Sequence, residues 1–371
     1  MKKIICTFSL LVAILVTVAA ANKTENSSLT ENFITGNPNI KSIYRLSFGP
    51  EGILFIGDSD SATIFALDTK DNIAKNKPEN IALDSFDEKI ASALGTTVKN
   101  INITDMSVNP ISKNVYFSIQ TKNGTPVLLR LTNGKLENVS LNNVSYAKTT
   151  LTNPISKSPK TKGYYAHRRW AISDMKYYNG KVFVSGLSNK EFSSSFSSIP
   201  FPFNNKQDFS TLEIYHAAHG RYETNAPIET FDITTIKGKE FILASYTCTP
   251  LVLFPIDKLE NGKHIKGRTV SELGSGNAPI DIISFKKGKE LKFFLSNTDT
   301  PVKRINLSDI IDFKGSMTKP VVTRELGRKV GGVKAVNLPY VNVEQMDKYD
   351  DNNALLLIRS EGHLSLQNRS L

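Results

Sequence analysis

The 371-residue chain has a formal charge of +11, spread over many separate lysines and arginines with no basic block of interleaved aromatics, which argues against nucleic acid as a partner. The same balance favours small anions, acidic saccharides or phosphate surfaces. There are two cysteines, Cys6 and Cys248, and beyond the N-terminal segment nothing is apolar for long enough to span a bilayer.

Lys2 and Lys3 precede an apolar run from Ile4 to Val18 that ends in Ala19, Ala20 and Ala21, the charged, apolar and small-residue order of a secretory signal. Residues 1–21 are therefore read as a signal peptide cleaved after Ala21, and the protein as exported to the periplasm or the cell exterior. Cleavage removes Cys6 and two lysines, which lowers the charge from +11 by two, to +9, and leaves Cys248 without an internal disulfide partner. Residues 22–36 form a polar leader, part of which could supply a closing strand for the last blade. The rest, 37–371, is read as one folded domain.

That domain repeats one grammar: an alternating strand, a short turn with Gly, Asn or Lys, a second apolar strand, a polar turn and a third strand. It runs from Ile43 to Asp68 and returns from Ile103, Ile172, Ile228, Ile280 and Val343. Two copies share their approach, NAPIE from Asn225 and NAPID from Asn277. One marker residue per first strand, Arg45, Asp105, Asp174, Glu229, Asp281 and Gln345, gives steps of 60, 69, 55, 52 and 64 residues. These exceed the roughly 40–45 residues of a WD repeat. An isolated sheet cannot cover both its faces, and a β-sandwich does not account for six repeats. The pattern predicts an all-β fold, a β-propeller of six blades with four antiparallel strands each. One short helix is expected over Ser85 to Leu94, between blades. The stretch from Ser193 to Phe203 is expected to pack beside or over the upper pocket.

In a propeller, the loop entering each innermost strand and the turn after the second strand share the upper face. Three residue sets converge there. The markers form a mostly acidic ring, in which Asp105, Asp174, Glu229 and Asp281 suit a hard divalent cation such as Ca²⁺ or Mg²⁺, or else bind backbone amides and Arg45 around a water-filled channel. The entering loops carry His167, Arg168 and Arg169 before the third unit, and His216, His219 and Arg221 before the fourth. The turns add Asp58, Asn189, Tyr246, Cys248, Asn297, Asp299, Glu361 and His363. His216 and His219 can share a metal only if the chain turns between them; with Cys248 they would suit zinc or copper. Cys248 is otherwise a buried thiol or a nucleophile paired with a histidine. His167 is the candidate acid or base, and Arg45, Arg168, Arg169, Arg221, Asn189 and Asn297 are candidates to orient an anionic substrate.

The segment FGPEGILFIGDSDSATIFALD, from Phe48 to Asp68, and its counterparts resemble the exported propellers grouped with NHL repeats and with gluconolactonase and senescence-marker proteins. The resemblance implies a divalent metal at the channel mouth, on Asp174, Glu229 or Asp281. The first unit departs from the group's pattern, with Arg45 where a carboxylate is expected. The reading that follows is a metal-dependent hydrolase or lyase acting on a small or sugar-derived anion; the alternative is a propeller that binds a ligand or protein without catalysis.

Overall fold

The structure, a computed structural model, describes residues 28–75, 78–158 and 167–371. The expected signal peptide, 1–21, and the first part of the leader lie outside the described residues. Among the described residues no helix is long and apolar enough to cross a membrane.

Six sheets form the blades of a β-propeller, antiparallel throughout except where His264–Lys266 lies parallel to Thr211–Glu213. Numbered by their innermost strands, these are blade 1 (Arg45–Phe48), blade 2 (Ile101–Val108), blade 3 (Asp174–Tyr178), blade 4 (Ile228–Ile236), blade 5 (Pro279–Lys287) and blade 6 (Val343–Lys348). The middle strands are near-continuous buried apolar runs, such as Ile53–Ile56 and Ala354–Leu357, so each sheet has two apolar faces to cover. They are covered radially: six separate hydrophobic clusters occur, each filled from two blades. Phe55 of blade 1 meets Val184 and Phe201 of blade 3 in one cluster, while Leu54 and Ile56 meet Tyr116 and Leu128 of blade 2 in another.

The clusters give the order round the ring as 1, 3, 4, 5, 6, 2, which is not chain order. After its third strand, blade 1 is left incomplete. The chain crosses to the outer edge of blade 6, adds Ala82–Leu83 beside His363–Ser370, forms the helix Phe86–Ala93, and then builds all four strands of blade 2. It returns to complete blade 1 with Val144–Thr150. The crossing is anchored by Asp71, which is buried and whose carboxylate accepts hydrogen bonds from Ser112 Oγ (2.9 Å), Asn114 Nδ2 (3.0 Å) and Tyr116 Oη (3.0 Å) of blade 2.

Two expectations are corrected. The leader does not close the last blade: Ile34–Gly36 pairs with Val144–Tyr146 at the outer edge of blade 1, and blade 6 is closed by Ala82–Leu83 instead. Nor does the stretch from Ser193 to Phe203 cover a pocket. Ser194–Pro200 is the third strand of blade 3, and Phe201 and Phe203 are buried against Phe55, with ring centroids 4.8 and 6.3 Å away. The expected helix is present, one residue shorter at each end.

Candidate functional site

The marker residues lie round the axis, and their hydrogen bonds explain their polarity. The free edge of each innermost strand faces the channel, where its amides need acceptors that no sheet supplies. Asp105 Oδ2 accepts from Leu46 N (2.6 Å), Asp174 Oδ2 from Phe231 N (2.9 Å), Asp281 Oδ2 from Met346 N (2.7 Å) and Asp347 Oδ2 from Val108 N (2.7 Å). Thr230 Oγ1 accepts from Ile282 N (3.1 Å), and Arg45 Nε donates to Ser173 O (2.5 Å). Each of the six interfaces round the ring is thus stitched at least once, at or beside the innermost strands. Glu229 stands outside the stitch and accepts from Thr247 Oγ1 (2.5 Å). In four of the strands the register slips at or beside the marker, next to Asp105, Glu229, Asp281 and Gln345. Such bulges re-aim side chains.

Burial pushes these acids up: Asp105 to about 7, with Arg45 opposing the rise and Asp174 adding to it, and Asp347 to about 6. Burial also raises Asp174, Glu229 and Asp281. Lys176, paired with Asp232 at 2.6 Å, contributes a second cation beside Arg45. The axial cavity of about 670 Å³ is lined by Asp105, Asp174 and Asp281, by later residues of the innermost strands such as Phe48, Lys176, Phe231 and Asp347, and by loop residues such as Lys75, Lys113 and Tyr349.

The second constellation sits between blades 3 and 4, and none of its residues lines that cavity. The outer strand of blade 3, Asp208–His216, ends in a tight turn in which His219 N and Gly220 N both donate to His216 O, at 3.1 and 2.8 Å. Gly220 takes φ +71°, a conformation that glycine adopts without a Cβ penalty. The chain then returns as Arg221–Glu223. That turn brings the two histidines together, with ring centroids 3.8 Å apart. Cys248 arrives from blade 4, in the turn after Lys239–Tyr246. It and Thr249 adopt φ of +67° and +65°, a strained pair held by Cys248 N to Asn277 O and Thr249 N to Tyr246 O, both 2.8 Å. A ring nitrogen of each histidine and the Cys248 sulfur all lie within 4.8 Å of one another.

One carboxylate orders both rings. Glu223 Oε2 accepts from His216 Nδ1 (2.8 Å) and Oε1 from His219 Nδ1 (2.7 Å), with Arg221 Nε also on Oε1 (3.1 Å). Burial by itself would raise Glu223, but the hydrogen bonds from the two histidines outweigh it and hold the acid at about 2. An ionised carboxylate only accepts, so Nδ1 carries the proton on each neutral ring and Nε2 keeps the lone pair that a metal takes. His216 is 1% exposed, and its Nε2 has no hydrogen-bond partner. Burial raises the Cys248 thiol. Residues inserted between the third strand of blade 5, Lys303–Asn306, and its closing strand, Val336–Asn337, roof the turn, through Val321 N to Ala217 O (3.0 Å) and Lys329 Nζ to Ala218 O (2.6 Å).

The other candidates are dispersed. His167 is exposed, and its carbonyl caps the short turn at Trp170. Arg168 donates to Ser59 O (2.8 Å) and to Ile155 O, and the Arg169 guanidinium lies 4.8 Å from the Trp170 ring. Arg45 also donates to Tyr44 O (2.9 Å). Asn189 is exposed, whereas Asn297 is buried with its amide on Leu295 O (3.2 Å). Asp58 accepts from Lys41 N (2.8 Å) and from the Ser42 hydroxyl (2.7 Å). Reasoning from sequence missed Glu223, Asp347 and Thr230. Glu223 lies inside the same loop as the histidines, and Asp347, two residues after its marker, falls on the same side of its strand.

No family model matches the chain, and no curated protein matches it. Among solved structures, it is similar to a Thermus thermophilus protein described as an oxidoreductase (glucose dehydrogenase), at 9% identity, TM-score 0.35, over 91% of this chain and 100% of that one. Others are the plexin A4 extracellular region, at 8% identity and TM-score 0.39 over 91% of this chain and 40% of that one, and Staphylococcus aureus virginiamycin B lyase, at 9% identity and TM-score 0.28 over 91% and 98%.

Proposed function

We propose that this protein is an exported metal-binding β-propeller whose His216, His219 and Cys248 hold zinc or copper on the upper face. The observation that carries the reading is the single carboxylate of Glu223, hydrogen-bonded to Nδ1 of both histidines, which leaves the lone pair that a metal takes on Nε2 of each, in a cluster where a ring nitrogen of each histidine lies within 4.8 Å of the Cys248 sulfur. Imidazole and thiolate suit zinc and copper. The cation is assigned here rather than to the axial ring, because both oxygens of Asp105 and of Asp174 already accept backbone amides.

Histidine and cysteine ligands recur in catalytic zinc sites, where zinc can take up a further ligand in the transition state. His219 is 40% exposed at its side chain, so the metal would be reachable from solvent on that side. Metal-assisted hydrolysis or elimination on a small anion, including a sugar-derived acid, is the reaction class proposed. Arg221, which shares Glu223 Oε1 with His219, would steer the anion.

Metal analysis of the purified mature protein tests the reading. Zinc or copper should be retained in close to stoichiometric amount. Glu223→Gln should weaken binding roughly 10- to 100-fold, as loss of an outer-shell partner does, and His216→Ala or His219→Ala should weaken it further. No retained metal after supplementation, with unchanged behaviour of the histidine variants, would sink the proposal. Export is tested separately by N-terminal sequencing of the secreted protein, which should begin at Asn22.

A further inference from the structure

Beside the cluster stands a fourth group that the sequence did not single out. Glu272 lies in the outer strand of blade 4, Arg268–Leu273, with its side chain 0% exposed. Its Oε1 accepts from Ala218 N at 3.1 Å, which fixes the carboxylate against the histidine turn. Its Oε2 has no hydrogen-bond partner and lies 3.8 Å from His216 Nε2, which has none either. Two buried, unsatisfied polar atoms that face each other each cost on the order of 1–3 kcal/mol. With Nδ1 of His216 donating to Glu223, Nε2 presents a lone pair, and it faces Glu272 Oε2 across the gap. A direct hydrogen bond would draw them to about 2.7–3.2 Å, and the observed gap is wider. A cation between them satisfies both.

We infer that Glu272 is a fourth ligand of the metal held by His216, His219 and Cys248, an inference that rests on the metal-site reading above. Ligand atoms about 2.0–2.2 Å from a tetrahedral zinc stand roughly 3.3–3.6 Å from one another, so the 3.8 Å separation closes with a shift of a few tenths of an ångström. The charges also balance. A Cys248 thiolate and a Glu272 carboxylate neutralise a divalent ion at a site where unpaired charge is costly. Four protein ligands make the ion a clamp joining the outer strand of blade 3 to a turn and the outer strand of blade 4. A substrate oxygen would then enter only as the fifth ligand that zinc takes up transiently.

Cobalt(II) loaded into the full mature protein provides the test. In the wild type the spectrum should show a thiolate-to-cobalt charge-transfer band and strong tetrahedral d–d bands. Glu272→Gln keeps the acceptor for Ala218 N. It should retain the charge-transfer band, weaken cobalt and zinc binding at least about tenfold, and change the d–d bands. Equal affinity and an unchanged spectrum in Glu272→Gln would overturn the fourth ligand while leaving the three-ligand site intact. Should the variant fail to fold, azide added to the cobalt-loaded wild type decides the matter. A closed four-ligand site leaves the spectrum unchanged, and a marked change exposes an open position and overturns the inference. A wild type that takes up no cobalt or zinc overturns the underlying metal reading as well.

Discussion

Polar residues at buried positions do most of the specifying in this propeller, and Asp105 shows how. Its carboxylate joins blade 2 to blade 1 by accepting the Leu46 amide, yet burial raises it to about 7. An acid raised above its unfolded value near 4 gives stability that is full below that value and lost as pH climbs through the folded one. Asp347, raised to about 6, acts in the same direction. The protein should therefore melt at a higher temperature at pH 5 than at pH 8, with each titrating proton worth about 1.4 kcal/mol per pH unit within that window. Asp105→Asn preserves an acceptor for Leu46 N and removes the titration, so thermal melts across pH should show a shallower slope and a higher melting temperature at pH 8. A slope identical to the wild type would remove Asp105 from this account. Asp71 makes a complementary case. Replacing it with Ala strands three buried donors, Ser112, Asn114 and Tyr116, and should destabilise the fold by about 3 kcal/mol or more in urea melts.

At the scale of the element, the features that build the metal cluster are the irregular ones. The His216 to Gly220 turn, the left-handed Cys248 and Thr249, and the hairpin Arg324–Glu325 with Arg328–Gly332 interrupt an otherwise regular set of strands. Gly332 lets that hairpin lie on blade 4. It takes φ +80°, and a Cβ there would stand 2.2 Å from Val270 O. Gly332→Ala should detach the hairpin and with it the roof over Ala217 and Ala218, seen as faster proteolytic nicking between residues 314 and 335 while the propeller core stays folded. Resistance equal to the wild type would show that the roof does not depend on this contact. The helix Phe86–Ala93 is held differently, by Ile90, which is 0% exposed in the cluster between blades 2 and 6. Ile90→Ala should cost about 2–5 kcal/mol in chemical denaturation.

For the whole molecule, the order 1, 3, 4, 5, 6, 2 has a mechanical consequence. In a simple repeat array each unit touches only its chain neighbours, and stability is close to a sum of local parts. Here blade 1 is completed only after blade 2 has formed, and blade 6 takes its closing strand from residues 82 and 83. Two blades are thus built from segments far apart in sequence, and the ring cannot open at one place without losing strands at another. Unfolding should be a single cooperative transition. Fluorescence of Trp170, buried between blades 1 and 3, and far-UV circular dichroism should give coincident denaturation curves. Separated midpoints would show that the blades unfold in groups despite the interleaved strands.

The sequence by itself determined the local grammar. Alternating apolar residues and regularly placed turns carry the strands, their repetition carries the six blades, and the polar markers carry the ring, because each of these is written in short-range periodicity. The pairing of His216 with His219 was legible as a condition, a turn between them, and so was Cys248 as a companion brought by the next blade. Tertiary structure alone decided which blade lies beside which. A crossing of some thirty residues between blade 1 and blade 2 carries no periodicity, so the ring order is fixed only by which apolar faces fit together and by where Asp71 finds its donors. It alone also brought Glu223 and Glu272 to the histidines, since a buried carboxylate and a solvated one look alike in a sequence and differ only in what surrounds them.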